Sequence, residues 1–150
     1  VVLAKILGYE FLDSDLLIQK EEKRRLYQII DEEGEEGFKA IENRVNASIK
    51  TEKTVIATGG SVVYCSEAME HLKSIGKVVY LRISLESLET RLGNLKKRGV
   101  LLKEGQTLKS LYEERIPLYE KYADIVVDEE GKDLEASLQA LLETLQTGVN

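Results

Sequence analysis

The chain has 150 residues, a length typical of one domain with one hydrophobic core. Its composition, with 43% hydrophobic and 32% charged residues, 11 glycines and 1 proline, excludes collagen-like, disulfide-rich and largely disordered proteins. The formal net charge of -6 opposes binding to duplex nucleic acid or to an anionic membrane. An anionic ligand would therefore need cations placed locally around it.

The first half of the chain predicts an alternation of helices and strands. In chain order, we expect a helix over 2–7, a strand over 9–12, two or three helices over 16–49 with a break at 31–37, a strand over 54–57, and a helix that Ser66 caps and that reaches 74. Gly8 follows the first of these helices as a C-terminal cap, and the chain begins within that helical pattern.

The second half continues the alternation. We expect a strand over 78–83, a helix from Ser84 to about 95 with a capping-box start, a helix over 108–122, a strand over 124–127, a turn over 129–132 and a final amphipathic helix over 134–145. The segment 96–106 is basic, contains glycine and lacks helical periodicity, which is typical of a functional lid. Apolar strands joined by helices predict an α/β fold, with a three-layer arrangement in which helices cover both faces of a parallel sheet, as a single domain over 1–150.

The cysteine and histidine content limits disulfide and metal-binding chemistry and indicates the cellular compartment. The single cysteine, Cys65, and the single histidine, His71, form neither an intramolecular disulfide nor a Cys/His metal cluster. We expect both side chains to have packing roles, with Cys65 a buried small residue. The single cysteine fits a reducing cytoplasm best. No apolar run approaches the roughly 20 residues of a membrane-spanning helix, and we expect a monomer.

Two polar segments follow predicted strands, where open α/β sheets place their chemistry. Asp13 and Asp15 could position Mg2+ through water and accept a proton from a hydroxyl group, although a strand exit and helix cap would use the same residues. Gly59 and Gly60 follow the second strand and would let a ligand approach backbone N–H groups, or would simply form a tight turn.

Arginines flank and follow the predicted lid. Arg91, Arg98 and Arg115 could hold phosphate or carboxylate groups through paired hydrogen bonds, because the guanidinium group stays charged and has a planar fork of donors. A solvated basic loop is the alternative for this part of the chain.

Together these segments resemble the shikimate kinase family over nearly the whole chain. The resemblance is carried by 3–15 with its paired aspartates, by Gly59, Gly60 and Ser61, by Arg91 and Arg98 with Leu101 and Leu102, and by 115–119. It implies a nucleoside-monophosphate-kinase-like fold with a P-loop and a lid, which transfers a phosphoryl group from ATP, with Mg2+, to a small hydroxylated acid.

The resemblance also implies a role for each matching residue. Asp13 would lie near Mg2+, Asp15 on the acceptor hydroxyls, Gly59 and Gly60 against the acceptor, Lys39 in the place of an acceptor-binding arginine, Arg115 on the acceptor carboxylate, Arg98 over the phosphates, and Arg91 and Lys132 near the adenine. Positioning and charge neutralisation of this kind are the main needs of phosphoryl transfer.

The chain departs from the family pattern in three ways. The phosphate-binding loop expected before Val1 is absent from the sequence, so we expect roughly twenty further residues upstream, by the length of a strand plus that loop. Ser61 stands where a third glycine is usual, and Lys39 stands where arginine is usual. Two alternatives to a shikimate kinase therefore stay open: a related small-metabolite kinase with another acceptor, and a non-catalytic relative of the fold.

Overall fold

The computed structural model describes residues 1–91, 107–128 and 134–147. The chain forms two compact units, Val1–Gly76 and Lys77–Asn150, and each is described by itself. Within the described residues, no helix combines the length and the apolar character needed to cross a membrane.

The first unit contains two strands and four α-helices. In chain order these are α1 (Val2–Leu7), β1 (Glu10–Asp13), α2 (Ser14–Glu22), α3 (Leu26–Ala47), β2 (Thr54–Ala57), a 3-10 helix (Gly60–Tyr64) and α4 (Ser66–Ile75). β1 and β2 are parallel, with Glu10 opposite Thr54 and Asp13 opposite Ala57. Because the two strands end in register, the segments that follow them start at the same edge of the sheet.

Helix α3 provides the centre of the first unit's core. It packs against α2, the 3-10 helix and α4, and buries apolar side chains that include Ile29, Phe38 and Val45. The predicted break over 31–37 is a kink at Gly34, whose φ of 76° lies in the left-handed region that glycine tolerates. The acidic residues on either side of Gly34 remain helical, so the break is narrower than the sequence pattern predicted.

The second unit contains β3 (Val79–Arg82), α5 (Leu85–Arg91), α6 (Leu108–Tyr122), β4 (Ile125–Asp128) and α7 (Leu134–Thr147). Its strands are also parallel, with Val79 opposite Ile125 and Arg82 opposite Asp128. The predicted cap of α5 is present, since the Ser84 hydroxyl accepts a hydrogen bond from the Ser87 N–H at 3.2 Å.

The structure confirms the α/β class and the order of elements, and it changes some boundaries. The strand predicted over 9–12 lies one residue later, because its limits are set by pairing with β2. The prediction that Ser66 caps α4 is wrong by one position: Cys65 precedes the helix and Ser66 is its first residue. The proposed lid over 96–106 and the turn over 129–132 lie outside the described residues.

Candidate active site

Asp13 and Asp15 occupy the junction between β1 and α2, and the structure gives them different tasks. The Oδ1 atom of Asp13 accepts hydrogen bonds from the N–H groups of Asp15 and Leu16, at 2.9 and 3.2 Å. Asp13 is therefore the N-cap of α2, which satisfies two of the helix's otherwise unpaired donors. Asp15 lies in the first turn of α2 with its carboxylate available for another role.

The carboxylate of Asp15 faces Gly59, which follows β2 at the same edge of the sheet. A Cβ atom placed on Gly59 would lie 3.0 and 3.3 Å from the two carboxylate oxygens of Asp15, and 3.5 Å from Oε2 of Glu42. The φ of Gly59 is -72°, which other residues adopt readily, so what glycine provides here is the absence of a Cβ beside Asp15 and not an unusual backbone conformation. We call the space beside the Gly59 Cα atom, bounded by Asp15 and Glu42, the Gly59 notch.

Glu42 also belongs to this site, and no role was predicted for it from the sequence. Glu42 is only 1% exposed and lies on the buried face of α3, as Phe38 and Val45 do. A carboxylate is rarely buried in this way unless it is hydrogen-bonded. The available signal was the helical spacing: Glu42 lies four residues after Phe38 and three before Val45, so a charged residue interrupts an apolar stripe.

Ser61 donates a hydrogen bond to this buried carboxylate. Its Oγ lies 2.8 Å from Oε1 and 2.9 Å from Oε2 of Glu42. Ser61 is in the 3-10 helix that begins at Gly60, so one short segment of chain supplies both the glycine that contacts Asp15 and the donor to Glu42.

The environment of Asp15 makes its carboxyl group a weaker acid than usual. Burial raises the pKa of Asp15 above 3.8, and the negative charge of Asp13 raises this pKa further. A carboxylate with a raised pKa binds a proton more strongly, which suits a group that accepts a proton from a hydroxyl during a reaction.

Lys39 lies one turn before Glu42 on α3 and is engaged on two sides. Its Nζ atom lies 3.2 Å from Oε1 of Glu35 and 4.5 Å from the centre of the Tyr64 ring. The charge of Lys39 is therefore already partly compensated within the first unit.

Cys65 and His71 have the packing roles that were predicted. Cys65 is buried, and its thiol lies 3.6 Å from the carbonyl oxygen of Lys39. Burial raises the pKa of Cys65 to about 12, and the charge of Glu42 adds to this effect. The Nε2 atom of His71 lies 2.5 Å from the carbonyl oxygen of Ile49 and so ties α4 to the residues after α3.

Comparisons with known proteins place the chain in one family. The family model described as shikimate kinase matches residues 1–146. The shikimate kinase of Francisella tularensis subsp. novicida is 42% identical over 133 residues, which are 86% of this chain and 76% of that protein. The shikimate kinase of Dictyoglomus turgidum is 37% identical over 141 residues, which are 91% of this chain and 82% of that protein. The chain belongs to the shikimate kinase family.

Solved structures of the family share the fold. The crystal structure of shikimate kinase from Aquifex aeolicus matches with a TM-score of 0.84 and 33% identity, covering 99% of this chain and 88% of that one. Shikimate kinase from Acinetobacter baumannii, solved in complex with shikimate, matches with the same TM-score and identity, covering 97% of this chain and 83% of that one. The family resemblance found in the sequence is therefore confirmed.

The structure brings together some of the site residues predicted in the first unit. Asp15 faces Gly59, and Gly60 begins the 3-10 helix next to it. Asp13 caps α2, and Lys39 lies on α3 with its Nζ atom at Glu35 and Tyr64. Their roles toward a ligand stay predictions.

The remaining predicted site residues belong to the second unit. Arg115 is half-buried on α6. Arg91 is the last residue of α5, and its side chain lies outside the described part of the chain. Arg98 and Lys132 also lie outside the described residues.

Proposed function

We propose that this chain is a shikimate kinase, which transfers a phosphoryl group from ATP to a hydroxyl group of shikimate. The observation that supports this best is the Asp15 carboxylate facing the Gly59 notch at the ends of two parallel strands. Ligands of open α/β folds bind at this edge of the sheet. The family model and the relatives named shikimate kinase supply the substrate class.

In the proposed reaction, Asp15 orients the acceptor hydroxyl and accepts its proton. The hydroxyl oxygen forms a bond to the γ-phosphorus of ATP, and the bond from that phosphorus to the oxygen it shares with the β-phosphate breaks. The raised pKa of Asp15 favours this proton transfer. We propose that Gly59 and Gly60 leave the space in which the acceptor approaches both Asp15 and the backbone.

Cations complete the proposed site. Arg115 would bind the acceptor carboxylate, with Lys39 as a second cation for it. Arg98 would neutralise the transferring phosphates, and Arg91 and Lys132 would lie near the adenine. These roles follow from the positions that the residues occupy in the family pattern and from the chemistry of the guanidinium group.

The residues at the β1 end also fit a magnesium ion. The helix cap uses Oδ1 of Asp13, which fixes the orientation of this carboxylate and leaves Oδ2 for an ion or its water. The described residues contain no group of three or more potential metal ligands, so Mg2+ would be held by one or two carboxylates together with water and phosphate oxygens. When bound, Mg2+ would neutralise charge on the phosphates.

A kinase for a different small hydroxy acid is the second candidate. It is favoured by Lys39, which is paired with Glu35, and by Ser61, which stands where the family pattern usually has glycine. Both differences change the surroundings of the acceptor more than those of ATP.

Turnover by the full-length protein with ATP, Mg2+ and separate acceptors tests the proposal. We expect ADP release with shikimate, and slower release with quinate and with other hydroxy acids. Lys39→Arg should preserve or improve the use of shikimate, Lys39→Ala should impair it, and the exposed control Lys50→Ala should leave it unchanged. A protein that binds ATP but prefers another acceptor would support the second candidate. A protein inactive with every acceptor would support a non-catalytic role.

We also propose that the enzyme is a cytoplasmic monomer that binds neither nucleic acid nor membranes. The net charge of -6 supports the absence of nucleic-acid and membrane binding, and the single cysteine supports a reducing compartment. Light scattering of the purified full-length protein would test the oligomeric state, and a mass of two or more chains would contradict it.

A further inference from the structure

Ser61 and Glu42 form a buried polar pair next to the acceptor side of the site. Glu42 is 1% exposed and Ser61 is 8% exposed. The Ser61 hydroxyl lies almost equally close to both carboxylate oxygens, at 2.8 and 2.9 Å, and therefore shares its one hydrogen between them. A donor shared in this way restrains the rotation of the carboxylate plane, which the Cys65 thiol also approaches, with its Sγ atom 4.0 Å from Oε1.

The orientation that Ser61 imposes on Glu42 reaches the Gly59 notch. Oε2 of Glu42 lies 3.5 Å from the position of a Cβ on Gly59, and Oδ1 of Asp15 lies 3.0 Å from the same point. Two carboxylates from different helices therefore bound one small space. A rotation of the Glu42 carboxylate would change the shape and the hydrogen-bonding pattern of that space.

We infer that Ser61 is a positioning residue for the acceptor, and that it acts through Glu42. The inference rests on the proposed function, in which the acceptor binds to Asp15 beside the notch. Ser61 is nearly inaccessible and its hydrogen is used by Glu42, so it acts without being a catalytic residue. A glycine at this position, as the family pattern usually has, would supply no side-chain donor to the carboxylate.

Steady-state kinetics of the full-length Ser61→Ala variant tests this inference. We expect the KM for the acceptor to rise roughly 10-fold, because a lost hydrogen bond to a charged group frees the carboxylate to move. The KM for ATP and kcat should stay within about 2-fold, on the scale of weak indirect effects. Ser61→Thr, which keeps the hydroxyl, should restore much of the lost affinity for the acceptor.

A matched control shows whether the effect is specific to position 61 or follows from the loss of any serine hydroxyl near α3. Ser48→Ala removes a serine hydroxyl that donates to the Val45 carbonyl oxygen at 2.8 Å, at the end of the same helix that carries Glu42. We expect this variant to keep the acceptor KM of the unmodified protein. If Ser61→Ala lowered the melting temperature but left the acceptor KM unchanged, the role of Ser61 would be structural and the inference would be wrong.

A double-mutant cycle tests whether the effect passes through Glu42. Ser61→Ala should raise the acceptor KM roughly 10-fold when Glu42 is present. In a protein that already carries Glu42→Gln, the same substitution should raise this KM less than about 2-fold, because residues that act on one another show non-additive effects. Additive effects would overturn the inference. This result differs from failure of the proposed function, in which the unmodified protein would show no turnover with shikimate or with any other acceptor.

Discussion

Replacement of Gly59 by alanine is expected to separate activity from stability. The new Cβ would lie 3.0 Å from Oδ1 of Asp15, which is 0.4 Å inside the 3.4 Å limit of ordinary contact. The distance of 3.5 Å to Glu42 is already ordinary, so Asp15 is the side chain that must move. With a backbone φ of -72°, alanine introduces no strain at position 59, and it reduces the conformational entropy of the unfolded chain.

We therefore expect Gly59→Ala to fold, with a melting temperature within about 4 °C of the unmodified protein, the shift for roughly 1 kcal/mol in a domain of this size. Its kcat/KM for the acceptor should fall about 10- to 100-fold, because a misplacement of up to about 1 Å can cost a factor of 10² in rate. ATP binding, measured by calorimetry, should be nearly unchanged.

The control for this variant is Gly76→Ala. Gly76 is exposed, has an extended φ of -175°, and has no atom within 4 Å of the methyl group that alanine would add, so neither activity nor stability should change much. Full activity of a folded Gly59→Ala enzyme would refute the placement of the acceptor beside Asp15 and the Gly59 notch.

The remaining predictions concern four side chains. Because the pKa of Asp15 is raised above 3.8, kcat/KM for the acceptor should fall as the pH drops through that raised value. Stability should decrease as the pH rises from the unfolded pKa through the folded one, since the folded state holds the proton to higher pH than the unfolded chain. A kcat/KM that stays flat on the acid side until the protein unfolds would contradict the role of this carboxylate as the base. Arg115→Ala should weaken acceptor use about 10- to 100-fold with little change in ATP binding, and equal losses for both ligands, measured by calorimetry, would exclude a specific acceptor contact. Arg98→Ala should lower kcat about 10²-fold or more while Arg98→Lys restores little, and unchanged turnover would reduce segment 96–106 to an ordinary surface loop. The thiol of Cys65, with its pKa raised to about 12, should resist iodoacetamide at pH 8 in the folded protein and react in urea, as mass spectrometry would show. Rapid alkylation of the folded enzyme would show that the structure around Cys65 opens.

The sequence alone was sufficient for the features that depend on neighbouring residues. Apolar runs located β1 and β2 to within one residue, and the helix over Leu108–Tyr122 was predicted at its observed limits. The order and spacing of Asp15, Gly59 and the arginines were sufficient for the family. These signals are local because periodicity, capping and turn chemistry act over a few residues.

Only the tertiary structure showed what surrounds the candidate acceptor site. Glu42 and Ser61 are 19 residues apart in sequence, and their hydrogen bond depends on how α3 is rotated against the 3-10 helix. The sequence could not show that Asp13 caps α2 while Asp15 faces Gly59, because both residues satisfy the same local pattern. Packing decides between such alternatives, since the free-energy cost of burying a carboxylate depends on which donors the rest of the chain places beside it.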